Sequence, residues 1–416
     1  MRRALAVVLA VGALVAAGCT RSSSPEPIRI GAIYPLSGAQ GPGGVDEYRG
    51  VRLAAQLVND AGGVGGRPIA LVPMDVARGD AAPAAVDELS RRGIRYVVGS
   101  YGSTISVPAA VEAQRRGMLF WETGAVGFMA SAAPSDLVFR VPPTGLFLGA
   151  RAIAFVADRL AAAWHRDARS LRFAIAFVND VYGRSVARGA EDEIARRGLD
   201  LVGRFGYDPR VADIRTVVKK VAATHPDVFF VAAYVKDGIE LRRQVVAQGV
   251  GLRAMIGTSS SYCMPAFGAA LGRDAVGVFA SDKPDEVTLG TDGLTPSARA
   301  VLQRAGRAYR ARYGTTMSEA ALAGFAAGWA LFHDVLPSAS SLTPGAVAAA
   351  ARATDIPIGG LPNGSGLRFG AAGSPEAESN LRATSVIEQW GGDTEPVVVW
   401  PKRFVEHPVR LLPLGS

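Results

Sequence analysis

From Ile28 onward, apolar and polar positions change register in a regular way. Ile28 to Tyr34 is a short, nearly continuous apolar run, which predicts a buried strand. Asp46 to Ala61 then follows a helical period: Val51, Ala54, Ala55 and Val58 share one face, and Gly62-Gly63 stop the helix. The alternation repeats with strands over 68–75, 96–100 and 118–123 and helices over 82–92 and 107–116. The segment 137–141 leads into Pro142-Pro143, and a long apolar helix follows to Trp164. A second series has strands over 172–178, 201–207, 228–234, 254–257 and 275–280, with helices near 183–197, 213–223 and 237–248. Three helices follow (295–313, 318–336, 344–353), and the tail reads as strands over 384–390 and 396–400 with Gly-rich turns. Apolar strands alternating with amphipathic helices predict parallel sheets covered on both faces. Two such series of similar size predict an α/β protein with one lobe per series.

The first residues depart from this pattern. Arg2 and Arg3 precede an uncharged apolar stretch, Ala4 to Ala17, shorter than the roughly 20 residues of a comfortable bilayer span. Ala16-Ala17-Gly18 is a small-residue cleavage signature, and Cys19 follows at once. The arrangement resembles a bacterial lipobox, with Ala16 where Leu is commonest. It predicts a signal peptide over 1–19, lipidation of Cys19 and a polar tether over 20–27. The mature body is then exported and held at the membrane by its lipid, facing the periplasm or cell exterior.

Composition narrows the function. An apolar share of 49% with 49 Gly and 25 Pro fits a globular chain with many short connections. The net charge of +8 comes mainly from dispersed Arg, without the clustered basic and aromatic residues of a nucleic-acid surface. With Cys19 lipidated, Cys263 has no disulfide partner and reads as a small buried hydrophobe. His165, His225, His333 and His407 are far apart and form no metal-binding spacing. Gly41-Pro42-Gly43-Gly44 lacks the spacing of a phosphate loop, and no GxSxG elbow is present. These features favour binding over catalysis, with no cofactor and no metal.

Three stretches carry a resemblance. They are IRIGAIYPLSG with GVRLAAQLVNDAGGVGGRPIALVPMD, then YVVGSYGSTISVPAAVEAQRRGMLFWETGA, and a tail with LRFGAAG, VIEQW and PVVVWP. In this order they resemble the branched-chain amino-acid (Leu/Ile/Val) binding proteins of bacterial ABC importers, which are type I periplasmic binding proteins. The resemblance implies two doubly wound parallel-sheet lobes joined by three crossovers. Lobe one would be 28–143 plus 282–364, and lobe two 144–281 plus 365–416. A small ligand (an amino acid, amide or organic acid) would bind between them, and ABC permease subunits would be the partners. A ligand-sensing module for a partner receptor is the alternative role.

Clefts in such sheets lie beyond the carboxyl ends of the strands. That rule places the loops after Ser100, Thr123, Val178, Tyr234 and Gly257 at the site. Tyr101-Gly102-Ser103-Thr104, between a strand and a helix, has the hydroxyls and amides of an anion site, and also of a helix cap. By the resemblance, Ser103 would hold an amino-acid carboxylate, and the backbone at Gly124 and Ala125 would contact the ligand. Val126 stands near a position where the family often has Thr, so a hydroxyl is lost. Tyr182 and Tyr234 match family tyrosines that cover the ligand. At Ser259 the family has an acid for the ammonium group, and here the segment reads GTSSSY. Two readings stay open: another carboxylate (Glu122, Asp282 or Asp285) replaces it, or the ligand has no ammonium group. An enzymatic reading would use Glu122 with an acid–base partner.

Overall fold

A computed structural model describes residues 25–127, 136–374, 376–391, 396–405, 407–412 and 414. The predicted signal peptide, Cys19 and the start of the tether lie outside the described residues.

The first sheet has five parallel strands: β1 (Ile28–Tyr34), β2 (Ile69–Asp75), β3 (Tyr96–Gly99), β4 (Leu119–Glu122) and β5 (Val138–Arg140), in the order β2-β1-β3-β4-β5. Successive side chains on a strand point to opposite faces, and here each face has its own core. Tyr96 and Val98 of β3, with Leu119 and Trp121 of β4, pack under the helices Gly41–Asp60 and Glu319–Trp329. Val97 and Phe120, one residue out of phase, pack under the helices Ala82–Arg91 and Ser103–Arg115. The Trp121 indole N–H donates to the Ala327 carbonyl at 2.9 Å, which fixes the helix from the far end of the chain onto this sheet.

The second sheet has seven strands. β6 (Arg172–Val178), β7 (Asp200–Tyr207), β8 (Val228–Ala232), β9 (Ala254–Thr258) and β10 (Phe279–Asp282) are parallel. β11 (Val386–Trp390) and β12 (Pro396–Trp400) add antiparallel strands at one edge, giving β12-β11-β10-β9-β8-β6-β7. The helix Gly145–Phe155 and the helix Val181–Arg197 pack together on this lobe. β11 and β12 are shared between lobes: Val386 and Val398 join the first lobe's core, while Ile387 and Val399 join the second's.

The chain crosses from the first lobe to the second after β5, returns after β10 and crosses again before β11. The last crossing departs from the expected boundary at 364/365. Leu367 and Phe369 lie in the first lobe's core, and Asn380 Nδ2 donates to the carbonyls of Val141 (3.0 Å) and Gly366 (2.8 Å). The segment up to Asn380 therefore belongs with the first lobe. The Gly-rich stretch at 41–44 also differs from its expected loop: it is the first turn of the helix Gly41–Asp60. Close approach requires glycine there, because a Cβ on Gly43 would overlap the Tyr101 ring.

Candidate functional site

The carboxyl ends of β3, β4, β6, β8 and β9 converge between the lobes. The loops beyond them close on a narrow cleft with ≈ 10 Å³ of free volume, room for about one water molecule.

One wall comes from the first lobe. Tyr101, Gly102 and Ser103 follow β3, and Gly124 and Val126 follow β4. Tyr101 faces Ser260 of the other lobe across the cleft. Ser103 Oγ accepts from the Gly127 amide at 2.8 Å. Gly102 precedes the helix Ser103–Arg115, and its carbonyl accepts the Ile105 and Ser106 amides, both at 2.9 Å. The Ser103 and Thr104 amides come before these bonds, at the positive end of the helix.

The other wall comes from the second lobe. Tyr182 and Tyr234 lie side by side, ring centroids 5.4 Å apart. The Tyr182 hydroxyl is held by the Ser259 carbonyl and lies 3.0 Å from Thr258 Oγ1. The Tyr234 hydroxyl donates to Asp180 Oδ2 at 2.6 Å. Ser259 and Ser260 close this wall, and Ser260 has φ +68°, a left-handed conformation unusual outside glycine. Such positions concentrate at ligand sites.

Thus Tyr101, Gly102, Ser103, Gly124, Val126, Tyr182, Tyr234 and Ser259 meet at one cleft. Thr104 and Ala125 are adjacent in sequence but do not line it. Three lining residues were missed: Gln40, Ser260 and Lys283. Ser260 and Lys283 both follow strand ends, so the rule that marked the other loops could have found them. Gln40 follows no strand end directly and gave no such signal.

Glu122 is a correction. Its side chain is fully buried and turns back into its own loop. Oε1 accepts the amides of Thr123 (3.0 Å), Gly124 (3.0 Å) and Ala125 (2.9 Å), and Oε2 accepts from Ser106 Oγ. Burial pushes this carboxyl up to about 7, against the opposite pull of Arg140, Ser106 and the loop amides. Glu122 therefore shapes the loop and offers no oxygen to an ammonium group in the cleft. Asp285 is likewise committed, accepting the amides of Val287 and Thr288, each at 2.7 Å.

Asp282 sits with Cys263, Lys283 and Glu319 at the return crossover. Cys263 Sγ donates to Asp282 Oδ2 at 2.8 Å, so the thiol has a polar partner that the sequence did not indicate. Cys263, Asp282 and Glu319 have ligand atoms close enough together to hold a cation. The Lys283 ammonium fills that role, 2.6 Å from Glu319 Oε1 and 3.7 Å from Asp282 Oδ1. Burial lowers its proton affinity, but the neighbouring carboxylates outweigh this and keep Lys283 protonated. The Glu319 contact is an ion pair rather than an aligned hydrogen bond. Lys283 Nζ does donate to the Gly124 carbonyl at 3.1 Å, joining the crossover to the cleft loop.

The family model described as "Periplasmic binding protein" matches residues 27–386. The chain belongs to this family. Several of the proteins it is similar to carry the names of Leu/Ile/Val-binding or branched-chain amino-acid transporter proteins. It is 28% identical over 380 residues to "Leu/Ile/Val-binding protein homolog 8" of Brucella abortus, covering 90% of this chain and 91% of that one. Its fold is similar to that of the Streptococcus pneumoniae branched-chain amino-acid transporter protein LivJ in complex with isoleucine (TM-score 0.71, 18% identity, 90% and 100% of the two chains). It is also similar to a Desulfitobacterium hafniense ABC-transporter substrate-binding protein in complex with Leu (TM-score 0.69, 21% identity, 90% and 99%). The family is extracytoplasmic and binds ligands without catalysing their conversion. The two-lobed type I architecture is therefore established for this chain as well.

Proposed function

We propose that this protein is the lipid-anchored substrate-binding component of an ABC importer. It captures an amino acid or a related small polar molecule in the interlobe cleft and delivers it to the permease. The observation that carries this reading is the cleft itself: loops at the carboxyl ends of strands from both lobes meet around it. A ligand touching both walls stabilises the closed arrangement by its differential affinity for it. The permease then recognises the closed form.

Calorimetric titration of the body from Thr20 onward, unfolded and refolded to strip bound ligand, tests the capture step. Saturable binding with a decrease in radius of gyration by X-ray scattering is expected. Absence of binding across amino acids, amides and organic acids would overturn the reading. Anchoring is tested separately: Cys19→Ser should move the protein from the detergent phase to the aqueous phase in a phase-partition assay.

A further inference from the structure

The charges around the cleft are distributed asymmetrically. Lys283 is the only charged residue lining it among the described residues, and no Asp or Glu does so. The sequence of 128–135, which follows the Gly124–Gly127 loop, contains no acid either.

The nearby acids lie behind the wall and most are committed elsewhere, though Glu47 Oε2 has neither a hydrogen bond nor an ion pair among the described residues. Glu122 is held by its own loop, and Glu47 Oε1 accepts from Thr123 Oγ1 at 2.6 Å behind Gly124. Asp180 accepts the Gly183 amide and the Tyr234 hydroxyl. Asp237 accepts the Tyr207 hydroxyl at 2.5 Å. Asp282 and Glu319 serve Lys283. None of these reaches the cleft wall.

A ligand ammonium group would thus be desolvated with no carboxylate on the wall to receive it, which opposes binding. An anion meets the opposite situation. Lys283 has three N–H donors, of which the Glu319 carboxylate at 2.6 Å and the Gly124 carbonyl at 3.1 Å occupy two, leaving one for the cleft. The helix beginning at Ser103 turns its positive end toward the same space, with Gly102 and Ser103 on the wall. Ser259 and Ser260 add neutral hydroxyls where an acid would be needed for an amine.

We propose that the ligand is a small organic acid without an ammonium group, and that Lys283 and the first turn of the helix Ser103–Arg115 receive its carboxylate. This rests on the capture reading above and assigns its substrate class. Lys283 and Ser259 are then the residues that determine specificity, one by attracting the acid and the other by offering no charge to an amine.

The test uses matched pairs titrated calorimetrically into the refolded protein: L-leucine against 4-methylpentanoate, and L-phenylalanine against 3-phenylpropanoate. Native mass spectrometry of the protein as purified, before refolding, reads any ligand carried through purification. In at least one pair the amine-free acid should bind at least about tenfold tighter than its amino analogue. Ser259→Asp should reverse that preference. Lys283→Met combined with Glu319→Gln, which avoids orphaning the Glu319 carboxylate, should weaken the acid by a similar factor while a thermal melt confirms folding. Should the double variant fail to fold, the wild-type pairs still decide. Tighter binding of the amino acid in both pairs would overturn the substrate class and leave capture standing. If no compound bound and no ligand mass co-purified, capture itself would fall.

Discussion

Gly124 has no room for a side chain. A Cβ there would overlap the Glu47 carboxylate, which is fully buried and fixed by Thr123. Gly124→Ala should therefore destabilise the fold by about 1–3 kcal/mol, as overpacking does elsewhere, and chemical denaturation would measure it. Tyr182→Phe is a gentler probe at the same cleft. It removes the hydroxyl that satisfies the buried Ser259 carbonyl, and an expected loss of about 1–3 kcal/mol would be read from the same unfolding curves. Much of this site was legible because strand ends and loop chemistry are sequence-local. Tyr101, Ser103, Tyr182, Tyr234 and Ser259 each sit within about four residues of a strand's carboxyl end. What was not legible is side-chain direction. Glu122 ends β4 like a site residue, yet the three amides after it draw the carboxylate inward. Lys283 reads as an ordinary surface cation until Glu319 and Asp282, one of them far along the chain, are brought beside it.

Between elements, glycine sets the spacing of the main helix pair in each lobe. In the first lobe a Cβ on Gly50 would strike the Ala321 carbonyl, and one on Gly324 would strike the Glu47 carbonyl. In the second, Gly149 meets Val186 and Gly189 meets Leu146 in the same manner. Side chains at these positions would push the helices apart, so Gly50→Ala and Gly149→Ala should each lower stability by about 1–3 kcal/mol. Gly345→Ala, in the helix Pro344–Ala353 with open space around it, should be neutral or stabilise by up to about 1 kcal/mol. Differential scanning calorimetry on the three variants separates packing from helix propensity. The periodicity of the chain gave these helices and strands readily, because local burial dictates it. It could not give the pairing of distant helices, nor the alternation in β11 and β12 that assigns neighbouring residues to different lobes. The boundary expected at 364 failed for the same reason: 366–380 is tied to the first lobe by contacts with residues distant in sequence, among them Trp121, β5 and Val141.

At the scale of the molecule, the interior holds more carboxyl groups than cations to neutralise them. Glu122 is raised to about 7, and Glu47, Glu319 and Glu388 are raised too, burial being the largest cause in each. An acid with a raised folded-state pKa binds its proton more tightly when folded, so stability falls as pH rises from the unfolded value near 4.5 through the folded one. The ligand-free protein should melt at a higher temperature at pH 5 than at pH 8, and thermal melts across that interval check the sign. Arginine-paired acids such as Glu112 and Asp208, held at about 2 chiefly by hydrogen bonds from those arginines, act only below this window. The three crossovers have a further consequence for how the chain is made. All five strands of the first sheet leave the ribosome long before the helix Glu319–Trp329, which bonds to Trp121 and packs on the helix Gly41–Asp60. During synthesis one face of that sheet waits only partly covered, by the helix Gly41–Asp60, while the whole parallel part of the second lobe emerges. Such late, non-local closure slows folding and lengthens the time in which the chain remains open enough to be threaded through an export channel.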